Sequence, residues 1–212
     1  MAHRYAVYFA PADGSSLDRF GTAWLGRDHR SGRSLEQPAV LGFDKVRLRR
    51  LTRSPRRYGF HATLKAPFRL RPGRTAAALH DAVAAFAAVQ RSLVAPPLEV
   101  ADLEGFLAFV PSAPAPELNA LAGKCVHHFE PFRAALTAAE RQRRPLDQLT
   151  PRQIDQLDRF GYPYVFDDFV FHMTLTERLA EAERAILLAH LRSVAGPLAA
   201  APLVVDAVAV YE

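Results

Sequence analysis

The alternation of apolar and polar residues divides the chain into short elements. Tyr5-Ala-Val-Tyr-Phe-Ala10 is an apolar run that stops at Pro11, as a buried strand does, and Ser15 or Ser16 can cap a short helix through Leu25. The stretch 27–57 is mostly polar and reads as loop. Phe60–Leu70 predicts a second strand, and Thr75–Arg91 an amphipathic helix with Leu79, Val83, Phe86 and Val89 on one side. Proline-rich turns at 96–97 and 111–116 bracket two short strands, Leu98–Leu103 and Phe106–Val110. Leu118, Leu121, Ala122, Cys125, Phe129 and Phe132 then recur at helical spacing, so Cys125 reads as a small core hydrophobe. A helix at Pro151–Phe160, a strand at Phe166–Glu177, a helix from about Leu179 to Val194 and a strand at Leu203–Tyr211 complete the pattern.

The second half echoes the first, since each contains a strand bearing a histidine, then a helix, then another strand. His61 and His172 stand 111 residues apart, about half the chain, which points to an internal duplication rather than a repeat array. The expected fold is α+β: a single domain over 1–212 of two pseudo-symmetric lobes of antiparallel sheet, helices packed outside, and a central cleft carrying the histidine strands at about 60–70 and 166–177.

Composition changes this picture little. The 212 residues are half hydrophobic and 23% charged, enough for a core that needs neither disulfides nor a structural metal. The single cysteine excludes a disulfide scaffold. The apolar part of Met1–Pro11 is too short for a signal peptide, and no later run approaches membrane-spanning length, so a reduced cytoplasm and no membrane partner are expected.

Charge changes it more. Between Lys45 and Arg74 there are eleven positive residues and no acid, while the remainder carries 16 positives against 22 acids, a net of −6. A local field of this kind suits an anionic partner, although a run of charge is also often a solvated face.

The chemistry sits on the two echoed strands, Tyr58-Gly-Phe-His-Ala-Thr-Leu-Lys65 and Phe169-Val-Phe-His-Met-Thr-Leu-Thr176. Strand alternation puts His61, Thr63 and Lys65 on one face, and His172, Thr174, Thr176 and Arg178 on one face, each backed by apolar residues. Among eight histidines, about one chance match to His-x-Ser/Thr is expected from ordinary composition, and three occur. The third, His29-Arg-Ser31, lies in a polar run without strand character and is set aside as that chance match. Two imidazoles on paired strands are what phosphoester cleavage needs: a neutral one takes a proton from the attacking hydroxyl or water, and a protonated one delivers a proton to the leaving oxygen. Thr63 and Thr174 can hydrogen-bond the non-bridging phosphate oxygens, with Lys65 and Arg178 stabilising negative charge, and no metal or other cofactor is needed.

These motifs resemble those of the 2H phosphoesterase superfamily, named for two His-x-Thr/Ser motifs on strands of duplicated lobes around one cleft. The longer stretches 57–68 and 164–176 resemble a bacterial branch often encoded with phosphonate-utilisation genes. The resemblance implies a metal-independent phosphodiesterase opening a small cyclic phosphate, with His61, His172, Thr63 and Thr174 catalytic, and with a phosphoribosyl 1,2-cyclic phosphate as candidate substrate. Tyr58, Arg57, Lys65, Thr176 and Arg178 are the candidate substrate-binding residues around them.

Other candidates are weaker. His127 and His128 lack partners at metal-ligand spacing. Tyr164 reads as an interfacial tyrosine. Asp168 lies four residues from His172, some 13 Å along an extended chain, too far to share one ion. The expected partner is a small anionic phosphate ester. An RNA 2′,3′-cyclic phosphodiesterase or RNA-end binder is the alternative, disfavoured by the net acidic remainder and the lack of interleaved aromatics. A non-catalytic anion-binding module is the third reading, and oligomeric state stays open.

Overall fold

The computed structural model describes residues 3–212. Eight α-helices are present among them: α1 (Ser16–Leu25), α2 (Lys45–Leu51), α3 (Arg53–Tyr58), α4 (Ala76–Ala88), α5 (Pro116–Phe129), α6 (Ala138–Gln142), α7 (Pro151–Phe160) and α8 (Glu181–Ala199). Seven strands, β1 (Tyr5–Phe9), β2 (Ala62–Phe68), β3 (Leu93–Leu103), β4 (Phe106–Pro111), β5 (Met173–Thr174), β6 (Pro202–Val205) and β7 (Ala209–Tyr211), form one antiparallel sheet in the order β6-β3-β4-β5-β2-β1-β7. The α+β class is as expected. No helix among the described residues is long and apolar enough to cross a membrane.

Chain length between the edge strands dictates the sheet's shape. β6 and β7 lie at opposite ends of the strand order, yet only residues 206–208 join them. That link reaches at most about 14 Å, whereas six strand spacings in a flat sheet would separate the edges by about 29 Å. The sheet is therefore strongly curled. The expected single strand Leu203–Tyr211 is replaced by these two strands, because a continuous one could not serve both edges.

The two motif strands are direct neighbours at the middle of the sheet, with β1 and β7 beyond β2, and β4, β3 and β6 beyond β5. Helices α5 and α8 cover the sheet, α5 against β2 and α8 against β3. Trp24 of α1 is fully buried and donates its indole N–H to the Leu175 carbonyl at 2.9 Å, tying the helix layer to the second motif. Gly21 of the same helix meets the Phe60 ring so closely that any Cβ would collide with it.

The second motif strand is much shorter than expected. Instead of a strand over Phe166–Glu177, a 3₁₀ turn occupies Phe166–Asp168 and only Met173–Thr174 join the ladder as a strand. The acidic pair explains the turn, since Asp168 is held by Arg152 at 2.9 Å and by Gln153 at 3.1 Å, both from the first turn of α7. In the 27–57 stretch, α2 and α3 replace the expected loop. Asp44 caps α2 by accepting from the Arg47 N–H, and arginine is itself a good helix former.

Candidate active site

Register builds the centre of the site. Ala62 of β2 lies opposite Met173 of β5, both buried to 0% exposure. In an antiparallel ladder this sets His61 across from Thr174 and His172 across from Thr63, with all four side chains on the face away from the core. The two histidines are then diagonal neighbours, about 7–8 Å apart with their Cβ atoms somewhat closer. The burial sequence is the same in both copies: 60–65 and 171–176 each run buried, half-buried, buried, half-buried, buried, buried.

Each imidazole is clamped identically. His61 Nδ1 lies 2.9 Å from the Gly59 carbonyl, and His172 Nδ1 lies 2.8 Å from the Val170 carbonyl. A carbonyl only accepts, so Nδ1 carries the proton in both rings and the Nε2 lone pair is left for chemistry. Gly59 adopts φ +78°, and a Cβ there would meet the His29 Cβ at 2.3 Å, so backbone conformation and close approach both require glycine.

The surroundings differ. His61 stacks on Tyr8 with ring centroids 3.8 Å apart and planes 17° apart, with Tyr211 at 5.9 Å and Tyr58 edge-on at 6.4 Å. Burial in this tyrosine cage pushes the His61 pKa down to about 4, against the opposing effect of the Gly59 hydrogen bond. His172 has one aromatic neighbour among the described residues, Phe106 at 5.8 Å. Burial lowers its pKa more modestly, again opposed by its carbonyl contact.

Two residues placed on the polar face by alternation are turned away from it. Lys65 is 3% exposed, donating to the Val126 carbonyl and to Glu130, both at 3.0 Å. The ladder explains why: Tyr8 faces Thr63 but Val7 faces Lys65, so Leu64 is an extra residue in a bulge, and Lys65 shares a row with the core residue Val7. There its ammonium satisfies a carbonyl in the last turn of α5. Thr176 is 1% exposed and accepts from the Leu107 N–H at 2.9 Å. The N–H groups of Leu175 and Thr176 both donate to the Leu107 carbonyl, the same disruption at the equivalent leucine. Neither Lys65 nor Thr176 is placed to bind substrate.

The remaining candidates are at the surface. Tyr58 is exposed beside His61, and the Arg57 guanidinium lies 5.9 Å from the Tyr58 ring centroid. Arg178 is exposed, bonds the Glu104 backbone carbonyl, and lines a pocket with Arg53, Arg57, Ser54 and Glu177. His127 instead stacks on Phe166 at 4.7 Å and His128 lies 5.0 Å from Phe86, while burial pushes the Cys125 thiol up to about 12.

Tyr8, Tyr211 and His29 escaped the sequence reading. Tyr8 alternates with Val7 and Phe9 and so had to face the other side of β1, a signal that was available. Tyr211 reaches the site only through the curl that brings β7 beside β1. His29, set aside as a chance match, rests on Gly59 and stacks on Tyr211 at 5.5 Å, and its charged form would further lower the His61 pKa.

Fold and site together define an α+β protein whose curled antiparallel sheet presents two His-x-Thr pairs across its central ladder. The chain belongs to the family described as "Protein of unknown function (DUF1045)", which matches residues 63–212, so that His61 lies just ahead of the matched span. It is also similar to a protein of Janthinobacterium sp. (strain Marseille) described as "Ribose 1,5-bisphosphate phosphokinase PhnN", 39% identical over 211 residues that cover 98% of this chain and 47% of the relative. A protein of the same description from Laribacter hongkongensis (strain HLHK9) is 35% identical over 183 residues, 85% of this chain and 41% of the relative. The chain thus spans less than half the length of the curated relatives it matches.

Proposed function

We propose that this chain is a metal-independent phosphodiesterase of the 2H phosphoesterase type, opening a small cyclic phosphate by paired histidine acid–base catalysis, with a 5-phosphoribosyl 1,2-cyclic phosphate as its substrate in phosphonate catabolism. The observation that carries the proposal is the register that crosses His61 with Thr174 and His172 with Thr63 while leaving both Nε2 atoms free. A phosphoryl group lying between them would meet one imidazole at its attacking oxygen and the other at its leaving oxygen. His61, held neutral at pH 7, suits the base. Its Nε2 takes a proton from water as the water oxygen bonds to phosphorus, the phosphorus–ester oxygen bond breaks, and His172, protonated beside the bound anion, gives its Nε2 proton to the departing oxygen. Thr63 and Thr174 donate to the non-bridging oxygens. Exchange with solvent then restores both rings.

The relatives' printed name concerns a ribose phosphorylated at positions 1 and 5. Opening the 1,2-cyclic phosphate at its O2 ester would leave phosphates at those same positions. That name describes a kinase and belongs to proteins about twice this length; the sequence here contains no G-x-x-x-x-G-K-[S/T] phosphate loop. What this chain offers at its centre is two imidazoles. The test is a panel of cyclic phosphates incubated with chelator-treated protein and followed by phosphorus NMR. Ring opening of the sugar cyclic phosphate at undiminished rate is expected, and loss of turnover on chelation with rescue by added metal would overturn the proposal. An oligonucleotide with a 2′,3′-cyclic end as the best substrate would replace the small-sugar reading with the RNA one.

A further inference from the structure

Five of the eleven positive residues between Lys45 and Arg74 are neutralised by acids from outside the segment: Lys45 by Glu36, Arg47 by Glu183, Arg53 by Glu177, Lys65 by Glu130 and Arg69 by Glu140. Beside them, a different arrangement surrounds Arg56. Arg27, Arg49, Arg53, Arg56 and Arg57 line one pocket of about 260 Å³, whose remaining wall comes from the 32–34 loop and includes no carboxylate. Arg56 Nη1 and Arg27 Nε are buried in the described structure with no hydrogen-bond partner. Glu177, the acid whose charge acts on Arg56, is engaged by Arg53 Nε at 3.4 Å and by the Ser54 N–H at 2.9 Å.

Such an arrangement is unfavourable as it stands. Burial and the charges of Arg49 and Arg27 lower the Arg56 pKa, so the folded protein holds a guanidinium that its own neighbours repel. A buried donor without a partner adds a further penalty. A tetrahedral dianion with several acceptor oxygens answers the charge and the vacant donors together. The pocket is joined to the histidines through Arg57, whose guanidinium sits 5.9 Å from the Tyr58 ring, itself 6.4 Å from the His61 ring between centroids.

We propose that Arg27, Arg49 and Arg56 form a binding site for a phosphate monoester dianion, the second phosphate of a substrate whose cyclic phosphate occupies the histidine pair. The assignment of that phosphate to the substrate rests on the function proposed above, whereas the anion site itself does not. Binding requires no side chain from the histidine face, and it selects phosphorylated over unphosphorylated sugars.

Ribose 5-phosphate, which carries the monoester but no cyclic phosphate, is the probe. Its binding is measured by calorimetry and thermal shift on the intact protein, on His61→Ala/His172→Ala and on Arg49→Gln/Arg56→Gln. The expected result is equal affinity in wild type and the histidine variant, and at least tenfold weaker binding in the arginine variant. With ligand absent, the arginine variant should melt at a higher temperature than wild type, because repulsion has been removed. Retained affinity in the arginine variant, or a lower ligand-free melting temperature, would overturn the site. The two proposals separate in a second arm, which compares the Michaelis constants for 1,2-cyclic ribose with and without a phosphate on its 5-hydroxyl. A tenfold rise confined to the phosphorylated compound in the arginine variant supports placement of the substrate's second phosphate. No turnover of either compound, with ribose 5-phosphate still bound, removes the catalytic reading and leaves the anion site standing.

Discussion

The two histidine strands differ far more in their surroundings than in their backbones. Both hold Nδ1 against the carbonyl two residues back, both bury the residues on either side of the histidine, and both bulge at the leucine of His-x-Thr-Leu. Among the described residues, three tyrosines stand around His61, brought by β1, β7 and the end of α3, and one phenylalanine stands by His172, from the start of β4. A shared backbone therefore supplies equal geometry, and unequal packing supplies unequal proton affinity. In the acid–base scheme proposed above, that difference is what assigns the base to His61, the ring more strongly held neutral by burial, and the acid to His172.

The largest expected effect tests the shared part. His61→Ala and His172→Ala should each lower kcat by about 10²–10⁴ with the fold retained by circular dichroism, the usual contribution of a positioned acid or base. Near-full turnover in either variant would break the symmetry of roles. Thr63→Val and Thr174→Val should each lower kcat by about 10², at the lower end of the loss of one donor to a developing charge. A fall in one threonine variant only would show that the phosphate leans to one side of the ladder.

The bulges give a prediction about stability instead of rate. Thr176→Val leaves the buried Leu107 N–H without its acceptor and should lower unfolding free energy by about 1–3 kcal/mol in denaturant titrations, with kcat unchanged. Thr174→Val, two residues earlier, should do the reverse: lose rate and keep stability.

The smallest effect concerns the tyrosine cage. With His61 acting as base, kcat/KM should rise as pH passes upward through about 4, and it should fall as His172 loses its proton, below the ordinary imidazole value of about 6.5. The optimum then lies in mildly acidic solution. Tyr8→Leu removes the stacked ring and readmits water, which favours the charged imidazole, so the acidic limb should move toward higher pH while the alkaline limb stays in place. Movement of the alkaline limb alone would exchange the roles of the two histidines.

Much of this centre was legible in the sequence, because period-two alternation and a repeated tetrad are local properties. Phe60, His61, Ala62 and Thr63 fall on the faces that alternation assigns them, as do Phe171 to Thr174. Lys65 and Thr176 did not, since a bulge adds one residue to one strand in answer to its partner, and no pattern within a single strand records what its partner does. Charge was only partly legible for a related reason: the acids that neutralise Lys45, Arg47 and Arg69 stand at 36, 183 and 140, and only folding sets them beside their partners.

By itself the sequence determined the α+β class, the two His-x-Thr strands with apolar backs, and the burial of Cys125, all consequences of residue spacing along one element. Tertiary structure alone decided which arginines remained without acids, which tyrosines enclosed His61, and that His29 would lie beside Gly59. Each of these depends on distances between parts of the chain set by sheet register and by the short 206–208 link that forces the sheet to curl. Local periodicity fixes which side of an element a residue occupies; what it meets on that side is fixed by the packing of elements far apart in sequence.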